Sequence, residues 1–236
     1  MPVNDFHYSG SELDALAEAK NYYAWVLKQF EPFLGPTVIE AGAGIGTFSE
    51  FLLSSPKVEK LFAIEPATNT YPLLEKRFRD NPKVETLRGY LSEYEKTLSA
   101  NAVVAVNVLE HVEDHEEFLV EAHSAVIDGG SLLLFVPALP SIYGTLDRAF
   151  EHHRRYTRRT LREVIERAGW KPRRISYMNM PGIAAWFFAG RVLRKTNIAP
   201  SETKAYDRLV VPILSKVESV IRPPIGSNLV AIATKA

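Results

Sequence analysis

Through the first half of the chain, short apolar runs of strand length alternate with helix-patterned stretches, and a glycine-rich turn sits at the first junction. Thr37–Ala41, Leu61–Ile64, Val84–Leu87, Ala102–Val106 and Ser131–Val136 are brief and rich in β-branched residues, the pattern of strands covered on both faces. Between them, Thr47–Ser54, Thr68–Asp80, a short turn near Ser92–Leu98 and Asp114–Ile127 read as helical. Such alternation predicts right-handed βαβ crossovers and a parallel sheet. Upstream, Ser11–Gln29 reads as one amphipathic helix with Ser11 as its cap.

After Pro137 the pattern changes. A loop over 138–156 leads to a helix capped by Thr157 or Thr160 and stopped at Gly169, followed by a strand at Arg173–Tyr177. Gly182–Lys195 and Tyr206–Ile221 read as helices, and Asn228–Thr234 as a last strand. No Gly/Ser- or Pro-rich linker and no repeat of solenoid length separates these parts. The expected architecture is a single α/β domain over 1–236: a Rossmann-like, doubly wound seven-stranded sheet, mostly parallel with an antiparallel last strand, and helices on both faces. Residues 1–35 form a helical cap, 36–137 the cofactor-binding half, and 138–236 an acceptor-binding elaboration with the last strands.

Composition narrows the chemistry. With no cysteine among 236 residues, thiolate nucleophiles, thiolate zinc sites and iron–sulfur clusters are excluded. The opening MPVNDFHYSG lacks the basic and apolar regions of a secretory signal, and the longest apolar stretches are about ten residues, so a cytoplasmic protein is expected. Charge is segregated: residues 1–146 carry 10 basic and 21 acidic side chains, whereas 147–195 carry 13 basic and 4 acidic. The basic part either attracts an acidic substrate or lipid or neutralises the acidic half in space.

The glycine turn reads Val38-Ile39-Glu40-Ala41-Gly42-Ala43-Gly44-Ile45-Gly46-Thr47. Glycines between a strand and a helix let the backbone approach a ligand closely and leave helix N–H groups free. A dinucleotide fingerprint would place glycine at 47, where this chain has Thr47, with Gly46 one position earlier. The pattern E-x-G-x-G-x-G resembles the first motif of class I S-adenosylmethionine-dependent methyltransferases. That resemblance implies that Gly42, Ala43, Gly44 and Gly46 pass near the methionine part of the cofactor and that Glu40 helps hold its ammonium. A ligand-free tight turn is the bland alternative.

Nineteen residues past Gly46, Phe62-Ala63-Ile64-Glu65-Pro66 ends the second strand, where a carboxylate can accept hydrogen bonds from ribose hydroxyls. Glu65 is thus the expected ribose ligand, beside Pro66. The family often has G-D after the third strand; here Gly89 is followed by Tyr90, Leu91 and Ser92, so Tyr90 and Leu91 are assigned to adenine without the acidic residue. At the end of the fourth strand, Asn107-Val108-Leu109-Glu110-His111-Val112 resembles ubiquinone-pathway O-methyltransferases and implies that Asn107 and Val108 meet the cofactor. Some of those enzymes place a metal on two acidic residues and the histidine of this segment. Asn107 replaces the first, so no required metal is expected. Glu110 and His111 either orient the turn or lie near the acceptor.

Tyr143–Arg148, Glu151–Tyr156, Asn179–Gly182 and Pro224–Leu229 resemble a bacterial branch of the family found near envelope-glycan glycosyltransferases. The loop after the fifth strand overlies the crevice. His152 is the first candidate base, with His111 a second and Asp147 orienting His152 or binding acceptor hydroxyls. Tyr143, Arg155, Tyr156 and Asn179 are candidate acceptor ligands; His152, Arg155 and Tyr156 alternatively brace the loop. Arg154, Arg155, Arg158, Arg159 and Arg162 suit a phosphate or headgroup site or a solvated face. The aromatic, basic-ended 183–195 segment suits either a membrane interface or a lid on the core.

Together these features predict methyl transfer from S-adenosylmethionine to a small or lipid-linked acceptor, most simply a hydroxyl, with no nucleic-acid partner favoured. Two other readings stay open: a catalytically silent S-adenosylmethionine-binding or scaffold protein, and an NAD(P)-dependent oxidoreductase.

Overall fold

The computed structural model describes residues 6–10 and 13–236, so the proposed cap Ser11 lies outside the described residues. Seven strands form one sheet in the order β3-β2-β1-β4-β5-β7-β6. They are β1 (Thr37–Ala41), β2 (Lys60–Glu65), β3 (Val84–Arg88), β4 (Ala100–Val106), β5 (Val126–Pro137), β6 (Lys171–Met178) and β7 (Asn228–Thr234). The first five run parallel, and β7 is antiparallel to both β5 and β6.

Period-two side-chain alternation divides the core between the two faces. Ile39, Val103, Leu132 and Leu134 pack with Phe118 and Leu119 of α5 (His115–Ser124) and with Leu161 and Ile165 of α7 (Arg158–Arg167). Val38, Val104, Leu133 and Phe135 point the other way, onto Val26 and Phe30 of α2 (Lys20–Phe30) and Phe48 and Leu52 of α3 (Thr47–Ser54). Asp114 caps α5 by accepting from the Glu117 N–H, and Thr157 caps α7 by accepting from the Thr160 N–H.

Several expected elements are divided or longer than their sequence pattern. The N-terminal helix is α1 (Leu13–Ala17) and α2, broken at Ala19, whose ψ of 50° is not helical; the break lets α1 lie against α9 (Pro200–Leu209). The expected helix at 206–221 is α9 and α10 (Val211–Val220), because Pro212 has no N–H to continue the ladder and so opens a new first turn. The 182–195 segment is α8 (Gly182–Phe187) followed by a π-helical turn at Phe188–Val192. The loop over 138–156 contains a short helix, α6 (Thr145–Ala149). Strand β5 starts at Val126, where pairing with Ala100 takes residues the local pattern gives to a helix. Helix α4 (Tyr71–Phe78) is shorter than its expected 68–80 span.

The chain winds outward from β1 to β3 and then crosses to β4 on the other side of β1. This reversal opens a crevice at the carboxyl ends of β1 and β4, where ligands bind in open α/β sheets. No helix among the described residues is long and apolar enough to cross a membrane.

Candidate active site

The crevice is a cavity of about 1340 Å³ whose wall includes Glu40, Gly42, Ala43, Gly44, Glu65, Pro66, Tyr90, Leu91, Asn107, Val108, His111, Tyr143, His152, Arg155 and Asn179. Gly46, Tyr156, Asp147 and Glu110 stand off it. Gly46 packs against Phe78 and Leu74 of α4, so it serves helix packing rather than the cavity surface. Tyr156 is buried in the core, its hydroxyl shared with His115 Nδ1 and the Leu109 carbonyl, and it braces the loop instead of facing an acceptor. Asp147 lies behind the wall, fully buried.

At the β1 end the backbone forms a cradle. Gly42 has φ +72°, and a Cβ there would sit 2.6 Å from Val108 Cγ2, so only glycine lets β1 and the turn after β4 close together. The Gly42 and Ala43 N–H groups both donate to the Ile64 carbonyl, which pins the turn to β2. Glu65 closes the cradle: its carboxylate accepts from Gly44 N at 2.7 Å, Ala67 N at 2.9 Å and Thr70 Oγ1 at 2.9 Å. Three protein donors still leave lone-pair capacity for a ligand hydroxyl. Burial raises the Glu65 pKa, against those hydrogen bonds. Asn107 carries φ +53°, a conformation asparagine tolerates better than most residues, at the tip of β4.

Glu40 is almost fully buried, and burial pushes its pKa up to about 8 even though Ser49 donates to it. Its carboxyl is therefore largely protonated at neutral pH, and a cationic ligand beside it would drive the proton off. Calorimetry of cofactor binding near pH 7 should then show release of up to about one proton, seen as an enthalpy that varies with buffer ionisation. Equal enthalpies in phosphate and Tris would separate Glu40 from the ammonium.

A polar corner faces the cradle. Asp147 accepts from His152 Nδ1 at 3.0 Å, Arg155 Nε at 2.6 Å, Trp186 Nε1 at 3.0 Å and Gly144 N at 2.8 Å. Burial alone would raise its pKa; the His152 hydrogen bond, the Arg155 charge and the other donors outweigh burial and hold it below the ordinary aspartate value. The Arg155 guanidinium lies 4.6 Å from the Trp186 ring centroid and donates to the Ala138 carbonyl. His152 meets His111 edge-on at 4.9 Å between centroids. Burial, and then the neighbouring His152, depress the His111 pKa to about 3, so this ring is neutral. Candidate ligand atoms of Glu110, His111 and His152 lie within 4.8 Å of one another.

The arginine cluster is dispersed. Arg155 points inward, Arg154 donates to the Glu113 carbonyl, and Arg159 and Arg162 pair with Glu163 and Glu166 on their own helix. In the 183–195 segment Trp186 turns inward, while Phe188, Val192 and Leu193 stay exposed. Phe6, Tyr8, Tyr22 and Tyr206 also line the cavity but escape sequence reasoning, because long-range packing alone brings them there; Thr47, at the end of the glycine turn, lines it too.

This sheet order, with a glycine cradle after β1 and a buried carboxylate ending β2, is the arrangement that the resemblance to S-adenosylmethionine-dependent methyltransferases implies. The residues fit that cofactor: the Glu65 carboxylate keeps lone-pair capacity beside the cradle, and the buried Thr47 hydroxyl on the same wall has no hydrogen-bond partner among the described residues. A family model described as "Methyltransferase domain" matches residues 14–175, and the chain belongs to that family.

The solved structures it resembles include three that cover most of this chain. A chain solved in complex with the Trm112 methyltransferase activator of Haloferax volcanii is 15% identical, with 95% of this chain and 94% of that one covered and a TM-score of 0.63. A SAM-dependent methyltransferase from Archaeoglobus fulgidus is 16% identical, with 94% of each chain covered and a TM-score of 0.59. Phosphoethanolamine N-methyltransferase 2 of Haemonchus contortus, in complex with S-adenosyl-L-methionine, is 20% identical over 91% of this chain and 52% of that one, with a TM-score of 0.61. No curated protein matches the sequence.

Proposed function

We propose that this methyltransferase acts on a hydroxyl oxygen of a small or lipid-linked acceptor, such as a sugar or a phenol, with His152 as the general base. The observation that carries this reading is the contact between His152 and Asp147. With Asp147 ionised, the hydrogen they share belongs to His152 Nδ1, so Nε2 is left as a proton acceptor in the cavity wall. The resemblance to ubiquinone-pathway O-methyltransferases supports a hydroxyl acceptor.

In this reading Glu40 holds the cofactor's ammonium, Glu65 its ribose hydroxyls, and Tyr90 with Leu91 its adenine, while Asn107 and Val108 flank the methionine end. The cofactor supplies a methyl group already activated by a positive sulfur. Holding the acceptor oxygen in line and excluding water supplies much of the remaining rate enhancement. His152 removes the hydroxyl proton at Nε2, Asp147 fixes the ring's tautomer, and the neutral His111 edge packs beside it.

Loss of a general base lowers turnover by about 10²–10⁴-fold. His152→Ala should show that loss with an acceptor identified by S-adenosylhomocysteine release across a panel of phenols and glycosides, while cofactor affinity stays unchanged. Equal turnover would remove His152 from the base role.

The convergence of Glu110, His111 and His152 favours a second reading, because two imidazoles and a carboxylate suit a divalent transition ion that polarises the acceptor oxygen. Exhaustive dialysis against EDTA separates the two: turnover survives it if His152 acts as a base and disappears if an ion is needed.

A further inference from the structure

The cavity is larger than one ligand requires. Pockets for a single drug-sized molecule run to roughly 300–1,000 Å³, and S-adenosylmethionine is a molecule of that size. The cradle accounts for the end formed by the turns after β1, β2 and β3. Tyr8, His111, His152 and Trp186 then form a chain of ring contacts leading away from it, at 5.8 Å, 4.9 Å and 6.5 Å between successive centroids.

Where α1, α2 and the 182–211 segment form the wall, it includes Leu16, Ala19, Ala185, Ala189, Ile198 and Val211, which are small or aliphatic, beside the polar Lys195, Glu202 and Thr203. The main polar side chains at that end are engaged with one another. Tyr206 donates to Asn179 Oδ1 at 2.6 Å, Asn179 Nδ2 donates to the Tyr22 hydroxyl at 3.2 Å, and Tyr22 donates to Asn228 Oδ1 at 2.9 Å. Asp207 accepts from the backbone N–H groups of Asn21 and Tyr22, and Lys195 pairs with Glu202. A polar group placed there would lose water and find few partners, whereas hydrocarbon would gain from burial.

Resting on the hydroxyl-acceptor reading, we propose that this far chamber binds the apolar body of the acceptor. The substrate is then an amphiphile: its hydroxyl-bearing head lies at His152, and its hydrocarbon chain runs past Trp186 between α1–α2 and α8–α9. Asn179, a candidate ligand for acceptor polar groups, instead fixes the chamber wall, because its side-chain amide is occupied within the protein.

The test is calorimetric titration of the full chain, saturated with S-adenosylhomocysteine, with 4-alkylphenols from methyl to hexyl. Burial of each added methylene should tighten binding about three- to fourfold. Ala189→Phe fills the chamber and Ile198→Asn makes its wall polar; each should flatten this gain while S-adenosylhomocysteine binds as in the wild type, which also reports that the variant is folded. If one variant fails to fold, the other decides. The proposal is overturned by a series flat in chain length, by failure of every phenol to bind, or by a gain that survives in the folded variants. Failure of the unmodified chain to bind S-adenosylhomocysteine would instead strike the cofactor site itself, so the two failures are distinguishable.

Discussion

A leucine at position 44 should strip the protein of its cofactor while leaving it folded. Gly44 has φ +57°, and a Cβ built there meets only Leu13 Cδ2, at 3.6 Å. The backbone conformation penalises an L-residue by about 1–2 kcal/mol. For a chain of this length that lowers the melting temperature by roughly 2–8 °C. The rest of the side chain has nowhere to go but the cavity, over the N–H that donates to Glu65. S-adenosylhomocysteine affinity should fall at least about a hundredfold, equivalent to about 2.7 kcal/mol. Calorimetry beside a thermal melt checks both halves of the expectation, and an unchanged dissociation constant would show that the cradle does not seat the cofactor. The same substitution at Gly42 would be less informative, since a Cβ there collides with Val108 and disturbs the junction of β1 with β4 directly.

The largest loss of stability should come from Asp147→Ala. The wild-type carboxylate is fully buried and takes four hydrogen bonds, one from an Arg155 side chain that is itself almost fully buried. Removing one partner of a buried ion pair strands the other, at about 3–5 kcal/mol. At 2–4 °C per kcal/mol the melting temperature should drop by roughly 10 °C. The pH dependence carries a sign. Because the folded-state pKa of Asp147 lies below the ordinary aspartate value, its contribution is fully present above about pH 4 and disappears as the pH falls through the folded value. Urea unfolding should therefore show the wild type and the variant farthest apart near neutrality, the gap closing in acid. A gap that stayed constant down to pH 2 would mean that Asp147 acts through packing alone.

The sequence shows most clearly those parts whose signals are local. β1, α3 and β7 have the residue bounds that their patterns predict, because glycine turns and abrupt changes of hydrophobicity mark where each begins or ends. The glycine cradle was legible for the same reason: Glu40, Gly42, Gly44 and Glu65 lie within two consecutive strand-to-loop junctions. The start of β5 was not, since Val126 and Ile127 continue an apolar helical pattern and only pairing with β4 draws Val126 into the sheet. Nor was the break at Ala19, which depends on where α9 lies. In the polar corner, His111 and His152 are 41 positions apart, and nothing in either segment announces that their rings meet. Trp186 reads as part of an aromatic, basic-ended segment, yet its indole N–H turns inward because a buried carboxylate needs its donors.

One feature of the sheet bears on how the chain is made. Strand β7 sits between β5 and β6 although it follows both in the sequence, hydrogen-bonded along its length on each side. During translation, the slot between those two strands must stay open until residues 228–234 emerge, so β6 cannot dock on the nascent sheet in its final place. Two unpaired strand edges thus wait exposed until the last strand is made, an interval in which a partly folded chain is prone to associate. A ribosome stalled just before residue 228 would hold a protein with its cofactor cradle written and its sheet unsealed.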